Sequence, residues 1–193
     1  MAMAIQSPTL LSGVGLFGEI GSGAKILNIG VVNVSINSSG NCVGALVGKN
    51  FYGTLTDCYS SGTINGNNST GGLIGLNSHG YIIRCNSDSA VSFNSDELAY
   101  IGGLVGYNSY GTIAQCFSTG MVGNISYRRL EYAYIGGLVE FNSYSTVTQC
   151  YSTCAVRGNY KMGGLVGTDS FGKITRCYST GAMDLMNWRI LED

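Results

Sequence analysis

Apolar residues return along this chain in a fixed order. A leucine recurs at Leu16, Leu46, Leu73, Leu104, Leu138 and Leu165, each followed by Val, Ile or Phe, with steps of 30, 27, 31, 34 and 27 residues. In five copies a cysteine follows the leucine by 12 residues, at Cys58, Cys85, Cys116, Cys150 and Cys177. Constant spacing inside a unit and variable spacing between units describe a fixed block joined by loops, and a period in this range signals a solenoid, a propeller or a repeat array.

Before the tail, no window carries helical i, i+3, i+4, i+7 spacing, while short apolar runs bounded by Gly and Asn read as strands. Each copy offers three: around Leu104-Val105, around Thr112-Ile113, and from Cys116 to Val122. Three strands in about 30 residues fit one coil of a parallel solenoid, whereas a propeller blade needs about 40 or more. Crossovers between parallel strands are nearly always right-handed. The pattern therefore predicts an all-β, right-handed parallel β-helix of about six coils with three short strands per coil. Residues 1–183 form one repeat domain, with copies starting near 13, 43, 71, 102, 136 and 163. Residues 184–193 break the pattern and form a tail that partly caps the last coil. In the first copy, after one extra turn residue, Ile26 aligns with Ile113 and Ile29 with the cysteines.

Each column has an expected role. The leucines from Leu46 to Leu165 stack inward. Gly48, Gly75, Gly106 and Gly167 mark a position that needs positive φ or close backbone approach, and Glu140 in the fifth copy is the strongest violation. Asn50, Asn77, Asn108, Asn142 and Asp169 form a polar column, which reads as a hydrogen-bonded ladder between coils; a row of polar ligands is the alternative. The cysteines lack the clustered spacing of zinc sites, and parallel stacked side chains do not converge as a disulfide requires. They read as a buried, reduced column of small hydrophobes, with Ile29 in the same place; Cys42 and Cys154 lie off it. After the cysteines come Tyr59, Asn86, Phe117, Tyr151 and Tyr178, an aromatic row that strand alternation turns outward. That row is either a sugar- or protein-binding strip or a stabilising stack between coils.

Composition narrows the function. Charged residues make up only 11% of the 193 residues and the net charge is −1, which argues against nucleic acid or an anionic membrane as main partner. No apolar run approaches the roughly 18 residues of a membrane span. The first eight residues lack the layout of a signal peptide, so export relies on something outside this chain, or the chain is part of a longer protein. His79, the one histidine, sits in a glycine-flanked turn with no evident partner, and no triad, metal cluster or phosphate loop is legible. Asp57 beside Arg84 reads as a surface ion pair of small value. No cofactor or metal is expected.

Gly102-Gly103-Leu104-Val105-Gly106 together with Cys116-Phe117-Ser118-Thr119-Gly120 resembles the GLUG-motif repeat of bacterial secreted and cell-surface proteins, including adhesin-like and immunoglobulin A protease-like proteins. The likeness spans roughly residues 13–183, with departures at Glu140, Ser145 and Asn86-Ser87-Asp88-Ser89. The resemblance implies an extracellular or cell-surface β-helical region, structural or adhesive, and brings no catalytic residues with it. The alternatives are a carbohydrate-binding or polysaccharide-degrading β-helix and, more remotely, an ice-binding protein using the Ser-Thr string.

Charge and aromatics concentrate in two loops of adjacent copies. Asp96, Glu97 and Tyr100 are expected to meet Tyr127, Arg128, Arg129, Tyr132 and Tyr134 in one lobe, the best candidate for recognising a host protein or glycan. The apolar, uncharged lead-in of 12 residues predicts an open N-terminal end, which suits flanking domains of a larger protein or end-to-end stacking with other copies.

Overall fold

A computed structural model describes residues 4–7, 13–93, 99–123, 133–158 and 160–185. Among them there is no helix, and all paired strands run parallel, each with the equivalent strand of the next repeat. The chain is a parallel β-solenoid. Four sheets run along its axis: a nine-stranded sheet, two six-stranded sheets and a five-stranded one.

One coil illustrates the path. In the fourth repeat Ala99–Gly102 lies in the five-stranded sheet and Val105–Ser109 in a six-stranded one. Thr112–Ala114 then joins the short-stranded sheet and Phe117–Gly123 the long one. The expectation of three strands per coil is corrected to four. The stretch around Leu104-Val105 is two strands joined at a sharp turn, and Leu104 sits in the turn. Counting from Phe17 to Val166 gives five full turns rather than six, flanked by partial ones; among the described residues the first repeat meets the five-stranded sheet only through the Val14–Val43 bridge. In the lead-in, Ala4–Ser7 pairs with Ser35–Ser38. At the other end, Met183–Leu185 still pairs with Val156–Gly158, so pairing runs two residues past the expected boundary.

Register makes the columns. Ile82 pairs with Leu55 on one side and Ile113 on the other. Leu46, Leu73, Leu104 and Leu138 are fully buried in the main core with the cysteines. Each such Leu or Ile contributes about 2 kcal/mol by leaving water. Leu16 is 44% exposed and Leu165 only half-buried, because a terminal coil has a neighbour on one side only. A second core lies between the distal halves of the long strands (Val91, Phe93, Val122, Val156) and the five-stranded sheet (Ala99, Ile101, Ala133, Ile135). Cys154 belongs to it.

Two corners of each coil use left-handed backbone on non-glycine residues. One column is Asn28, Asp57, Arg84, Gln115, Gln149 and Arg176; the other is Tyr52, His79, Tyr110, Tyr144 and Phe171. Such conformations are uncommon and cost about 1–2 kcal/mol each, so the stacking they permit must offset the strain. The glycine column behaves differently. A Cβ on Gly75 would lie 2.5 Å from Val43 N, and one on Gly106 would lie 2.7 Å from Thr70 N. Neither glycine has positive φ. The demand there is close approach of the five-stranded sheet to its six-stranded neighbour.

Candidate functional site

Most polar side chains on the inside of the solenoid hold it together. Asn50 donates to Asn77 at 2.7 Å, Asn77 to Asn108 at 2.8 Å, and Asn108 to Asn142 at 2.9 Å. Asn142 closes the run on Asp169 at 2.7 Å. The same amides reach the turn carbonyls of Gly53 and Gly80. The four asparagines are fully buried, so the column is a structural ladder rather than a ligand row.

The cysteines form a second ladder. Main-chain N–H groups of Cys58, Cys85, Cys116 and Cys150 donate to the sulfur of the next cysteine at 3.3–3.4 Å. Each thiol faces the carbonyl two residues before it, as Cys116 does with Ala114 at 3.2 Å. All seven cysteines are free and six are buried. Burial pushes the Cys42, Cys116 and Cys154 thiols above their ordinary range. Among the described residues no three His, Cys, Asp or Glu side chains gather as a metal site would need.

The serine column is internal as well. Ser60 donates to Gly72 O at 2.8 Å and Ser118 to Gly137 O at 2.7 Å. Ser60, Ser118 and Ser152 are buried, while the residues that follow them, Ser61, Thr119 and Thr153, are half-buried or exposed, as strand alternation requires.

What projects is aromatic. In the expected outward row, Phe117 stacks on Tyr151 at 4.9 Å and Tyr151 on Tyr178 at 5.2 Å. Tyr59 and Tyr178 are exposed, while Phe117 and Tyr151 are half-buried. Asn86 separates Tyr59 from the others. A second row escaped sequence reading. Tyr52, His79, Tyr110, Tyr144 and Phe171 stack at 4.6, 5.0, 5.1 and 4.9 Å. The expectation that His79 has no partner is overturned: its ring lies between two tyrosines, and Nδ1 is 3.0 Å from Ser78 Oγ. The missed signal was an aromatic ring two residues after each column Asn or Asp, just before the turn glycine or, in the fifth copy, Ser145. Within each unbroken run, Tyr52 to Phe171 and Phe117 to Tyr178, neighbouring rings cover each other's faces, so edges and tyrosine hydroxyls meet solvent.

Of the other expected residues, Tyr100 and Tyr134 lie in the five-stranded sheet. Tyr100 and Tyr134 pair in register, with ring centroids 5.5 Å apart. Tyr100 also meets Tyr107 and Phe141 edge-on, at 5.9 Å each. Tyr134 stacks on Tyr160, and the Lys161 ammonium sits 4.7 Å from the Tyr134 ring centroid, a cation–π contact. Asp96, Glu97, Tyr127, Arg128, Arg129 and Tyr132 lie outside the described residues. Asp57 and Arg84 form a bidentate pair at 2.7 and 2.8 Å, and the guanidinium holds the Asp57 carboxyl below its usual range.

Glu140 stands apart. It occupies the glycine column, is 0% exposed, and has no hydrogen-bond partner on either carboxyl oxygen. Burial pushes its carboxyl up to about 8. Tyr100 is raised too, first by burial and then by the Glu140 charge.

The GLUG motif matches this chain at residues 39–65 and 98–126. No curated protein matches it in sequence. The fold is similar to the crystal structure of a proposed immunoglobulin A1 protease from Bacteroides ovatus, at 18% identity and a TM-score of 0.73, covering all of this chain and 71% of that one. At that identity the likeness speaks for the fold. Among the described residues no helix is long and apolar enough to cross a membrane. The chain carries the GLUG motif, in two matched repeats, on a parallel β-solenoid.

Proposed function

We propose that this solenoid is a structural and adhesive repeat module of a secreted or cell-surface protein, with no catalysis of its own. One observation carries the reading: the inward Asn, Ser and Cys columns are bonded from coil to coil, while the outside presents two periodic rows of pre-stacked aromatics among its polar residues. Tyrosine supplies rigid, amphipathic contact area at low entropy cost, and stacked neighbours fix its rotamers before any partner arrives. The covered ring faces favour a protein surface over stacked sugar. Coils add along one axis by strand pairing, so the module suits a longer surface protein or end-to-end assembly.

The test places the purified chain on beads and measures retention of host glycoproteins and polysaccharides, with immunoglobulin A1 cleavage assayed in parallel. Retention of a protein ligand, weakened by Tyr110→Ser and Tyr144→Ser together and without cleavage, is expected. Cleavage of immunoglobulin A1 or a polysaccharide by this chain alone contradicts the proposal.

A further inference from the structure

Glu140 is where the repeat breaks its own rule. In the five other repeats the position is glycine, at Gly18, Gly48, Gly75, Gly106 and Gly167, and in three of them main chain of the five-stranded sheet lies against it: Gly75 against Val43 and Cys42, Gly106 against Thr70 and Ser69, Gly167 against Ile135. In the fifth coil a carboxyl side chain enters that layer. A Cβ on Gly102 would lie 3.1 Å from Glu140 N and one on Gly136 would lie 2.9 Å from Glu140 Cα. The side chain is therefore enclosed between Ala99–Gly102 and Ala133–Gly136 on one side and its own sheet on the other.

Its surroundings are apolar or aromatic. From the strand 99–102 it meets Tyr100, which also feels Tyr134 from 133–136 and Tyr107 from 105–109. From 161–163 the only charge is Lys161, held over the Tyr134 ring. From 166–170, the Thr168 hydroxyl faces the carboxyl and favours its charged form, a smaller effect than burial, although no bond of ordinary geometry joins them; Asp169 is exposed and taken by Asn142. A neutral carboxyl tolerates this environment; a carboxylate there has neither water nor a bonded cation.

We propose that Glu140 is a pH-operated latch on the arm formed by the five-stranded sheet and its six-stranded neighbour. With Glu140 neutral, the arm closes on it and holds Tyr100 against Tyr107 and Phe141. When the carboxyl ionises, the arm opens at the fourth and fifth coils and lets the carboxylate reach water, loosening that aromatic cluster. The rest of the solenoid stays closed, because its column positions are glycine. The carboxyl gives its proton to water in this step; no other covalent bond changes, and the opening breaks only hydrogen bonds between the strands of the fourth and fifth coils.

Linkage fixes the signature. An open arm in which the carboxyl titrates as a free glutamate becomes more populated by about tenfold per pH unit, from about pH 4.5 up to about 8. Hydrogen exchange followed by mass spectrometry on the whole chain reads this directly. Peptides covering 99–109 and 133–143 are expected to show the tenfold-per-unit rise of the opening constant over and above the intrinsic acceleration of exchange. It levels off above about pH 8, whereas peptides covering 44–58 show only the intrinsic acceleration. In Glu140→Gln the extra rise disappears. Glu140→Gly, which restores the column, serves the same purpose should the amide variant fold poorly. Equal pH dependence in wild type and either variant overturns the proposal, and so does an extra rise shared by 44–58. A side-chain carbon titration of Glu140 in the ordinary glutamate range overturns it independently.

Discussion

The amide of Asn142 donates to the carboxylate of Asp169 at 2.7 Å, and that bond ends a directional chain begun at Asn50. Inside the run, every member must both accept from the coil before and donate to the coil after. At the end an acceptor suffices, and a carboxylate accepts more strongly than an amide. Asn108→Asp sets acceptor against acceptor at Asn142, and Asn108→Ala removes the acceptor of the Asn77 amide and leaves the Asn142 side-chain oxygen without its donor. Either is expected to cost about 2–4 kcal/mol. Asp169→Asn keeps the acceptor and is expected to change stability by less than about 1 kcal/mol. Equilibrium urea unfolding of the three variants checks the ordering.

The glycine column predicts position-specific costs. A Cβ at residue 106 meets the backbone of Thr70 and Gly75, at 2.7 and 2.8 Å, whereas one at Gly21 meets nothing within 4 Å. Gly106→Ala is expected to destabilise by about 2 kcal/mol or more through forced backbone shifts, and Gly21→Ala to be neutral or to stabilise by about 0.5 kcal/mol through the unfolded chain. Thermal melts of the two variants read the difference.

Thiol chemistry separates the column by depth. Cys58, Cys85, Cys116 and Cys150 are buried, while Cys177 in the last coil is partly exposed. Under native conditions an aromatic disulfide reagent is expected to label Cys177 at least tenfold faster than Cys116, whose thiol burial holds in its unreactive protonated form. Denaturant should bring all seven to one rate. Oxidative crosslinks between successive column members in the native protein would contradict the ladder.

The left-handed tyrosines predict an inverted substitution order. Tyr110 has φ of 52° and stacks on both His79 and Tyr144. Tyr110→Gly loses the stacking but relieves the backbone, while Tyr110→Ala loses the stacking and keeps the strain. The alanine variant is expected to be less stable than the glycine variant by about 1 kcal/mol, measured by urea unfolding.

The central parts of this fold were legible because a solenoid writes its register into the sequence. Leu46 to Leu138, Cys58 to Cys177 and Asn50 to Asn142 are columns before they are neighbours, and their burial follows from stacking alone. The strand Ala99–Gly102 was hidden. It is four residues long, half of it is Tyr and Gly, and the residues preceding it vary in number from coil to coil. The row from Tyr52 to Phe171 was hidden for another reason. An aromatic residue before a turn glycine suggests an irregular corner, and only left-handed backbone repeated in every coil brings the rings face to face. Glu140 was visible as a violation, but its enclosure by Tyr100 and Gly102 depends on that unread strand.

Glu140 also gives global stability a definite pH trend. Its folded value is raised, to about 8 from 4.5. The native state therefore holds a proton that the unfolded state releases above about pH 4.5. Stability is full below that point, falls as pH rises through the window, and levels off above about 8. The loss attributable to this group amounts to about 5 kcal/mol at the upper end, less whatever local opening of the arm relieves. Glu140→Gln is expected to flatten the dependence and to exceed wild type in stability at pH 9. A wild-type profile that rises from pH 5 to 9 contradicts the assignment.

The claim beneath all of these is that coil-to-coil side-chain ladders couple neighbouring repeats. A double-mutant cycle on the asparagine column tests it most directly. Asn77 and Asn108 share a 2.8 Å hydrogen bond, while Asn77 and Asn142 stand two coils apart. With alanine at each position, unfolding free energies are expected to give a coupling of about 1–2 kcal/mol for the adjacent pair and under about 0.5 kcal/mol for the separated pair. Zero coupling between Asn77 and Asn108, or equal coupling for both pairs, contradicts the account.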